Sequence, residues 1–185
     1  MPTTRFTALT MTYYLQQWLF CLKQYALMCV FASGPHRLPH SVACIAVSIF
    51  AYFLIGFALT NEQRGYGMVA FQILLEIALL SLVAYVGLRW KGMLNRFTQT
   101  CSALVGINLI VTAVTIPFVH LFSSNTSSTD LVDSKILLAT MLLIFWNLAV
   151  LSQIFKKAFE TNTVMSAMIA FNYFLVYQFA VVWIS

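Results

Sequence analysis

Residues Phe71–Leu88 read FQILLEIALLSLVAYVGL, and within this run Glu76 is the single charge, with Arg64 and Arg89 its nearest charged neighbours on either side. At 1.5 Å per residue, the apolar run that begins at Gly67 and ends at Leu88 is long enough as a helix to cross a hydrocarbon core about 30 Å thick. The rest of the chain has the same character. Of 185 residues, 61% are hydrophobic and only 8% are charged, with a mean hydropathy of +0.87, which no water-facing globule of this length carries. Further apolar runs occupy Ser41–Thr60, Cys101–Phe122, Lys135–Phe155 and Thr163–Ile184. Backbone groups in lipid must be satisfied internally, and the alternating pattern of outer-membrane barrel strands is missing, so these runs read as helices. The expected fold class is all-α: a polytopic membrane protein with five transmembrane helices.

The first forty residues differ. Met11–Ser33 interleaves Tyr13, Tyr14, Trp18, Phe20, Tyr25 and Phe31 with Gln16, Gln17, Lys23 and Gln24. The polar four recur at a seven-residue interval, which places them on one side of a helix with aromatic residues around the rest, the pattern of an amphipathic helix lying in the membrane interface. A sixth span is the alternative, but Lys23 would cost roughly 2.5–3.5 kcal/mol at the bilayer centre. A cleavable signal peptide is not expected, because polar residues interrupt the apolar region and SGPHRLPHS offers no small-residue cleavage site. The expected organisation is thus a cytoplasmic N-terminal segment, residues 1–40, followed by a five-helix transmembrane domain, residues 41–185.

Positive charge in short loops sets orientation. Arg5, Lys23 and Arg37 precede the first span, Arg89, Lys91 and Arg96 separate the second from the third, and Lys156 and Lys157 separate the fourth from the fifth. Arg64 and Lys135 alone fall on the other side, accompanied by Glu62, Asp130 and Asp133. The N-terminus is therefore expected in the cytoplasm and the C-terminus on the far side. A net charge of +5 spread over span ends is a topology signal, and nucleic acid is not an expected partner. Cys21, Cys29, Cys44 and Cys101 all fall at the cytoplasmic leaflet, where thiols stay reduced, and none shows C-x-x-C spacing. Asn125-Thr126-Ser127 is a formal glycosylation sequon in a far-side loop, of the kind such polar loops generate by chance.

Glu76 lies close to the middle of its span, and other spans carry polar groups at similar depth: Asn108 about one turn toward the cytoplasm, Asn147 and Asn172 near their own centres, and Gln72 one turn from Glu76 on the same helix face. Gln178 extends this belt outward. Glu76, Gln72, Asn108, Asn147 and Asn172 are thus the candidate intramembrane polar cluster. Two roles compete for it. Hydrogen bonds between the carboxyl and the carboxamides would fix how the helices pack, and the Leu, Ile, Val and Phe residues of the span, worth about −0.3 to −0.6 kcal/mol each, outweigh the insertion cost of one acid. Alternatively, an intramembrane carboxylate marks a proton or ion route. A site for a partner helix or lipid is a third use.

Catalytic chemistry finds no foothold. His36 and His40 stand beside Pro35 and Pro39 at the cytoplasmic surface while His120 sits near the far face, so the three cannot share a metal. No triad, P-loop, dinucleotide glycine pattern or H-E-x-x-H is present. No catalytic residue, metal or cofactor is expected. Pro117 should kink the third span, and Trp90 and Trp183 stand at interface depth as anchors.

RFTQTCSALVGINLIVTAVTIP (Arg96–Pro117) and LLIFWNLAVLSQIFKKAFETNTVMSAMIAF (Leu142–Phe171) resemble the bacterial branch of the Yip family, the likeness extending from Ser41 onward. In that family a glycine-rich lead with Phe, Gln and Thr enters the third span, a proline closes it, and a short basic hinge links the last two. Phe97, Gln99, Thr100 and Pro117 match; the glycine-rich lead is replaced by KGMLNR, with only Gly92. The resemblance implies five spans, a cytosolic N-terminus, a bacterial inner-membrane location, no catalytic residues, and a role in organising membrane partners, since eukaryotic relatives are trafficking scaffolds that contact small GTPases. The expected function is accordingly a non-enzymatic protein that scaffolds membrane proteins or lipids, with the lipid bilayer, a membrane-protein partner or further copies of itself as partners. A small proton- or ion-coupled transporter or channel using Glu76 and an accessory subunit of a larger complex are the alternatives.

Overall fold

The computed structural model describes the backbone of residues 3–58, 65–123 and 129–184, and the side chains of residues 16–58, 65–117 and 137–183. Six α-helices make up nearly all of it: α1 (Thr3–Cys29), α2 (Val42–Ala58), α3 (Tyr66–Trp90), α4 (Phe97–Ser123), α5 (Thr129–Phe159) and α6 (Thr163–Ile184). One-turn 3-10 helices at Pro35–Arg37 and Leu94–Arg96 lead into α2 and α4, and no strand occurs among the described residues. The fold is all-α.

Four helices, α3 to α6, are long and apolar enough to cross a membrane. The α2 helix is equally apolar but has 17 described residues, the last residues of the expected first span, 59 and 60, lying outside those described. The sequon at 125–127, Glu62 and Arg64 also lie outside them, as do the side chains of Arg5, Tyr13, Tyr14, His120, Asp130, Asp133 and Lys135.

The α4 helix is the axis of the bundle. Every residue from Cys101 to Leu109 is buried, so α4 has neighbours on all sides through this stretch. Over its apolar window 56% of α4 is enclosed by protein, against 17% for α3, 22% for α5 and 17% for α6. Helices α1, α2, α3 and α5 pack directly on it, and α6 closes the bundle against α5 and α3. Lipid tails are as apolar as leucine, so helices associate in a membrane through close packing and hydrogen bonds, and small residues serve both ends. A Cβ on Gly106 would stand 2.5 Å from the Tyr25 ring, and one on Gly87 2.5 Å from the ring of Phe159. Each glycine is the seat of an aromatic knob: Tyr25 joins α1 to α4, and Phe159, stacked on Phe155 with centroids 5.4 Å apart, joins α5 to α3.

The second half of α1 belongs to this core. Cys21, Gln24, Tyr25, Met28 and Cys29 are buried, whereas Gln16, Leu19, Phe20, Lys23 and Ala26 form the exposed stripe. The expected polar face is therefore split. Gln24 turns inward, where its Oε1 accepts from Ser33 Oγ at 2.7 Å, and Tyr25 is fully enclosed, its hydroxyl bonded to Ser102 Oγ at 2.7 Å and Ser48 Oγ at 3.4 Å. Seven-residue spacing identified the helix but not its inward face, because a satisfied glutamine is as acceptable inside as a phenol. All four cysteines are free and buried, with Cys21 Sγ 3.1 Å from Cys44 Sγ.

The basic loops meet at one end of the bundle. Gln99 Nε2 donates to the Leu38 carbonyl at 2.7 Å, Lys157 Nζ to the Ser33 carbonyl at 2.5 Å, and Arg96 pairs with Glu160 at 2.7 Å. Three helices end here by turning through a left-handed residue: Phe31 (φ 63°), Gly92 (φ 69°) and Glu160 (φ 50°). The amides beyond these residues reach back to orphan carbonyls, as in Ala32 N to Leu27 O (2.8 Å) and Met93 N to Leu88 O (2.9 Å).

Candidate functional site

Midway along α3, Glu76 is half-buried and faces α2 and α4. The Tyr52 hydroxyl, from α2, donates to its Oε2, and Asn108 Nδ2, from α4, donates to its Oε1 at 2.8 Å. Both donors are almost wholly enclosed, Tyr52 at 6% exposure and Asn108 at 3%. An apolar collar of Ile73, Leu109, Ile55, Val69 and Ile77 surrounds the tyrosine. In such surroundings an unmet polar group is costly, so the two donors and the acid hold one another in place. One carboxylate thereby ties three helices together.

From α6, Tyr173 and Tyr177 lie near enough to interact electrostatically with Glu76; their rings are stacked with centroids 6.3 Å apart. The Tyr173 hydroxyl and the Asn108 carbonyl oxygen are both buried without a hydrogen-bond partner among the described residues. The site is therefore rich in donors and acceptors on one side of the acid and incompletely satisfied at its edge.

The sequence-derived cluster divides under this geometry. Glu76 and Asn108 meet directly. Gln72 is half-buried one turn away on α3. Asn147, on α5, has a buried Oδ1 without a partner and makes no hydrogen bond to Glu76 among the described residues; its neighbour Trp146 instead donates from Nε1 to the Cys29 carbonyl at 3.2 Å. Asn172 is exposed and lines a groove between α3 and α6. Equal depth in the bilayer does not make residues neighbours, because each also needs the right angle around its own helix.

Tyr52, Tyr173 and Tyr177 were missed. Each stands in an apolar run and counts as aromatic bulk, yet a phenol carries a polar tip that must find a partner when buried. The legible signal was position: Tyr52 lies near the middle of the first apolar run, and Tyr173 directly follows Asn172. Among the described residues no group of three His, Cys, Asp or Glu side chains is placed to hold a metal ion, and His36 and His40 are both exposed.

No family model, curated protein or solved structure matches this chain. The functional reading rests on the residues themselves.

Proposed function

We propose that the chain is a non-enzymatic integral membrane protein of the Yip type, with five spans and an interfacial N-terminal helix, which organises partner proteins or lipids at the cytoplasmic face of a bacterial inner membrane. The observation that carries this reading is the ordered basic end of the bundle. Arg37, Arg89, Lys91, Arg96, Lys156 and Lys157 gather there, on helix ends and short joints tied to one another by the Gln99–Leu38, Lys157–Ser33 and Arg96–Glu160 contacts. A cationic face suits acidic headgroups or an acidic protein surface, whose attraction adds about 1 kcal/mol per basic residue near an anionic membrane. Glu76 is read as the bolt of the bundle, since both its oxygens accept hydrogen bonds from neighbouring helices.

Copurification from membranes in mild detergent tests the scaffold. A stoichiometric partner, lost when Arg37, Arg89 and Lys91 are changed together to glutamate, is the expected result; recovery of the bare chain from both forms refutes it. Topology is checked separately by an impermeant amine reagent on intact cells, which should leave Lys91 unlabelled until the membrane is opened.

The unpaired Asn108 carbonyl oxygen and Tyr173 hydroxyl beside Glu76 favour a second reading, a proton-linked transporter in which the acid exchanges partners. Proteoliposome flux separates the two: Glu76→Gln abolishes proton movement if the carboxyl carries it, and equal flux from both forms removes this reading.

A further inference from the structure

Cys21 of α1 and Cys44 of α2 meet across a helix interface although 23 residues separate them in sequence, with Cys21 Sγ donating to Cys44 Sγ at 3.1 Å. Both thiols are free and buried. Buried alone, a thiol behaves as a small apolar side chain, but two thiols in contact have a reaction in common. A disulfide holds its sulfurs about 2.05 Å apart, so about 1 Å of further approach separates this pair from a bond. Cys44 stands in the first turn of α2, and helix ends yield more readily than helix centres. The other two thiols are placed differently. Cys101 Sγ lies 4.0 Å from Ser81 Oγ, and Cys29 is about two turns further along α1 than Cys21.

A cleft of about 250 Å³ lies beside the pair, between α1 and α2, lined by Gln17, Trp18, Ala43, Cys44 and Val47. Cys44 belongs to its wall and Cys21 does not. A water takes about 30 Å³ of the liquid, so the cleft has room for a small peroxide. We propose that Cys21 and Cys44 are a redox pair, closed into a disulfide between α1 and α2 by a hydroperoxide that reaches Cys44 through this cleft, and reopened by thiol reductants. In the first step the Cys44 sulfur attacks one peroxide oxygen: an S–O bond forms, the O–O bond breaks, and the second oxygen departs as water or an alcohol with the proton of the Cys44 thiol. In the second the Cys21 sulfur attacks the Cys44 sulfenic acid: the S–S bond forms, the S–O bond breaks, and water leaves with the proton of Cys21. The two thiols lose two electrons and the peroxide gains them. The bond staples α1 to α2 one turn from Tyr25, whose hydroxyl already links α1 to Ser48 of α2 and Ser102 of α4.

The test uses the reduced full-length protein in phosphatidylcholine nanodiscs, exposed to hydrogen peroxide or cumene hydroperoxide, quenched, then denatured with N-ethylmaleimide to block the remaining thiols. Loss of two of the four titratable thiols is expected, with a Cys21–Cys44 peptide in the digest, unalkylated Cys29 and Cys101 absent from it, and full recovery of the four thiols after dithiothreitol. The wild-type chain alone carries this measurement, so it does not depend on any variant folding. Cys21→Ser leaves Cys44 without its partner and should accumulate a sulfenic acid there, trapped by dimedone; Cys44→Ser should abolish both disulfide and adduct. Thermal unfolding confirms that each variant keeps the bundle. Four thiols persisting in the folded wild type at peroxide doses that oxidise the denatured chain overturn the proposal. So does a disulfide that uses Cys29 or Cys101 or joins two copies, and so does a dimedone adduct on Cys21 in Cys44→Ser with none on Cys44 in Cys21→Ser.

Discussion

Asparagine behaves in two ways in this bundle. Asn108 is enclosed and donates to a carboxylate, whereas Asn172 faces outward. Asn108→Ala strips Glu76 Oε1 of its donor and is expected to cost about 1–2 kcal/mol, read as a lower midpoint in detergent denaturation. Asn172→Leu in the same assay should stay within about 0.5 kcal/mol of the parent, having no internal bond to lose. Gly106 is the other sensitive position. Its added Cβ would meet the ring of Tyr25, which is sealed on every side, so Gly106→Ala is expected to destabilise by about 1–3 kcal/mol. Tyr25→Ala in the same chain should recover little, since it opens a cavity and strands Ser102 and Ser48.

At the scale of elements, helix ends were less legible than helix centres. The observed α4 begins at Phe97, four residues before the expected span, and α5 continues past Phe155 to Phe159. Hydropathy registers where a helix enters lipid, while the backbone goes on hydrogen-bonding until a cap stops it. Gly92 is one such cap, and its φ of 69° is a conformation that an L side chain resists. Gly92→Ala should cost about 1 kcal/mol in the same denaturation assay although open space surrounds the position, because the penalty is conformational. The α1 helix teaches the complementary lesson. Its existence follows from periodicity, but its inward face was settled by the hydroxyls of Ser48 and Ser102 and the seat at Gly106, all distant in sequence.

For the whole molecule, the ordered basic end differs in kind from the buried hub. Arg96 and Glu160 are 43% and 59% exposed, so their ion pair is screened and worth about 0–1 kcal/mol. Glu160→Ala should leave the unfolding midpoint almost unchanged while loosening the hinge before α6, visible as faster amide exchange at residues 160–163. Composition and the length of its apolar runs settled by themselves that this chain is helical and suited to a membrane, because a bilayer forbids unpaired backbone and so leaves few other folds open. The same sequence also showed that a lone acid sits midway along one helix. Only the tertiary structure decided which groups answer it: Tyr52 and Asn108 rather than Asn147 or Asn172. Depth along a helix can be counted from residue numbers, but the angle at which a side chain leaves it has meaning only once the neighbouring helices have taken their places.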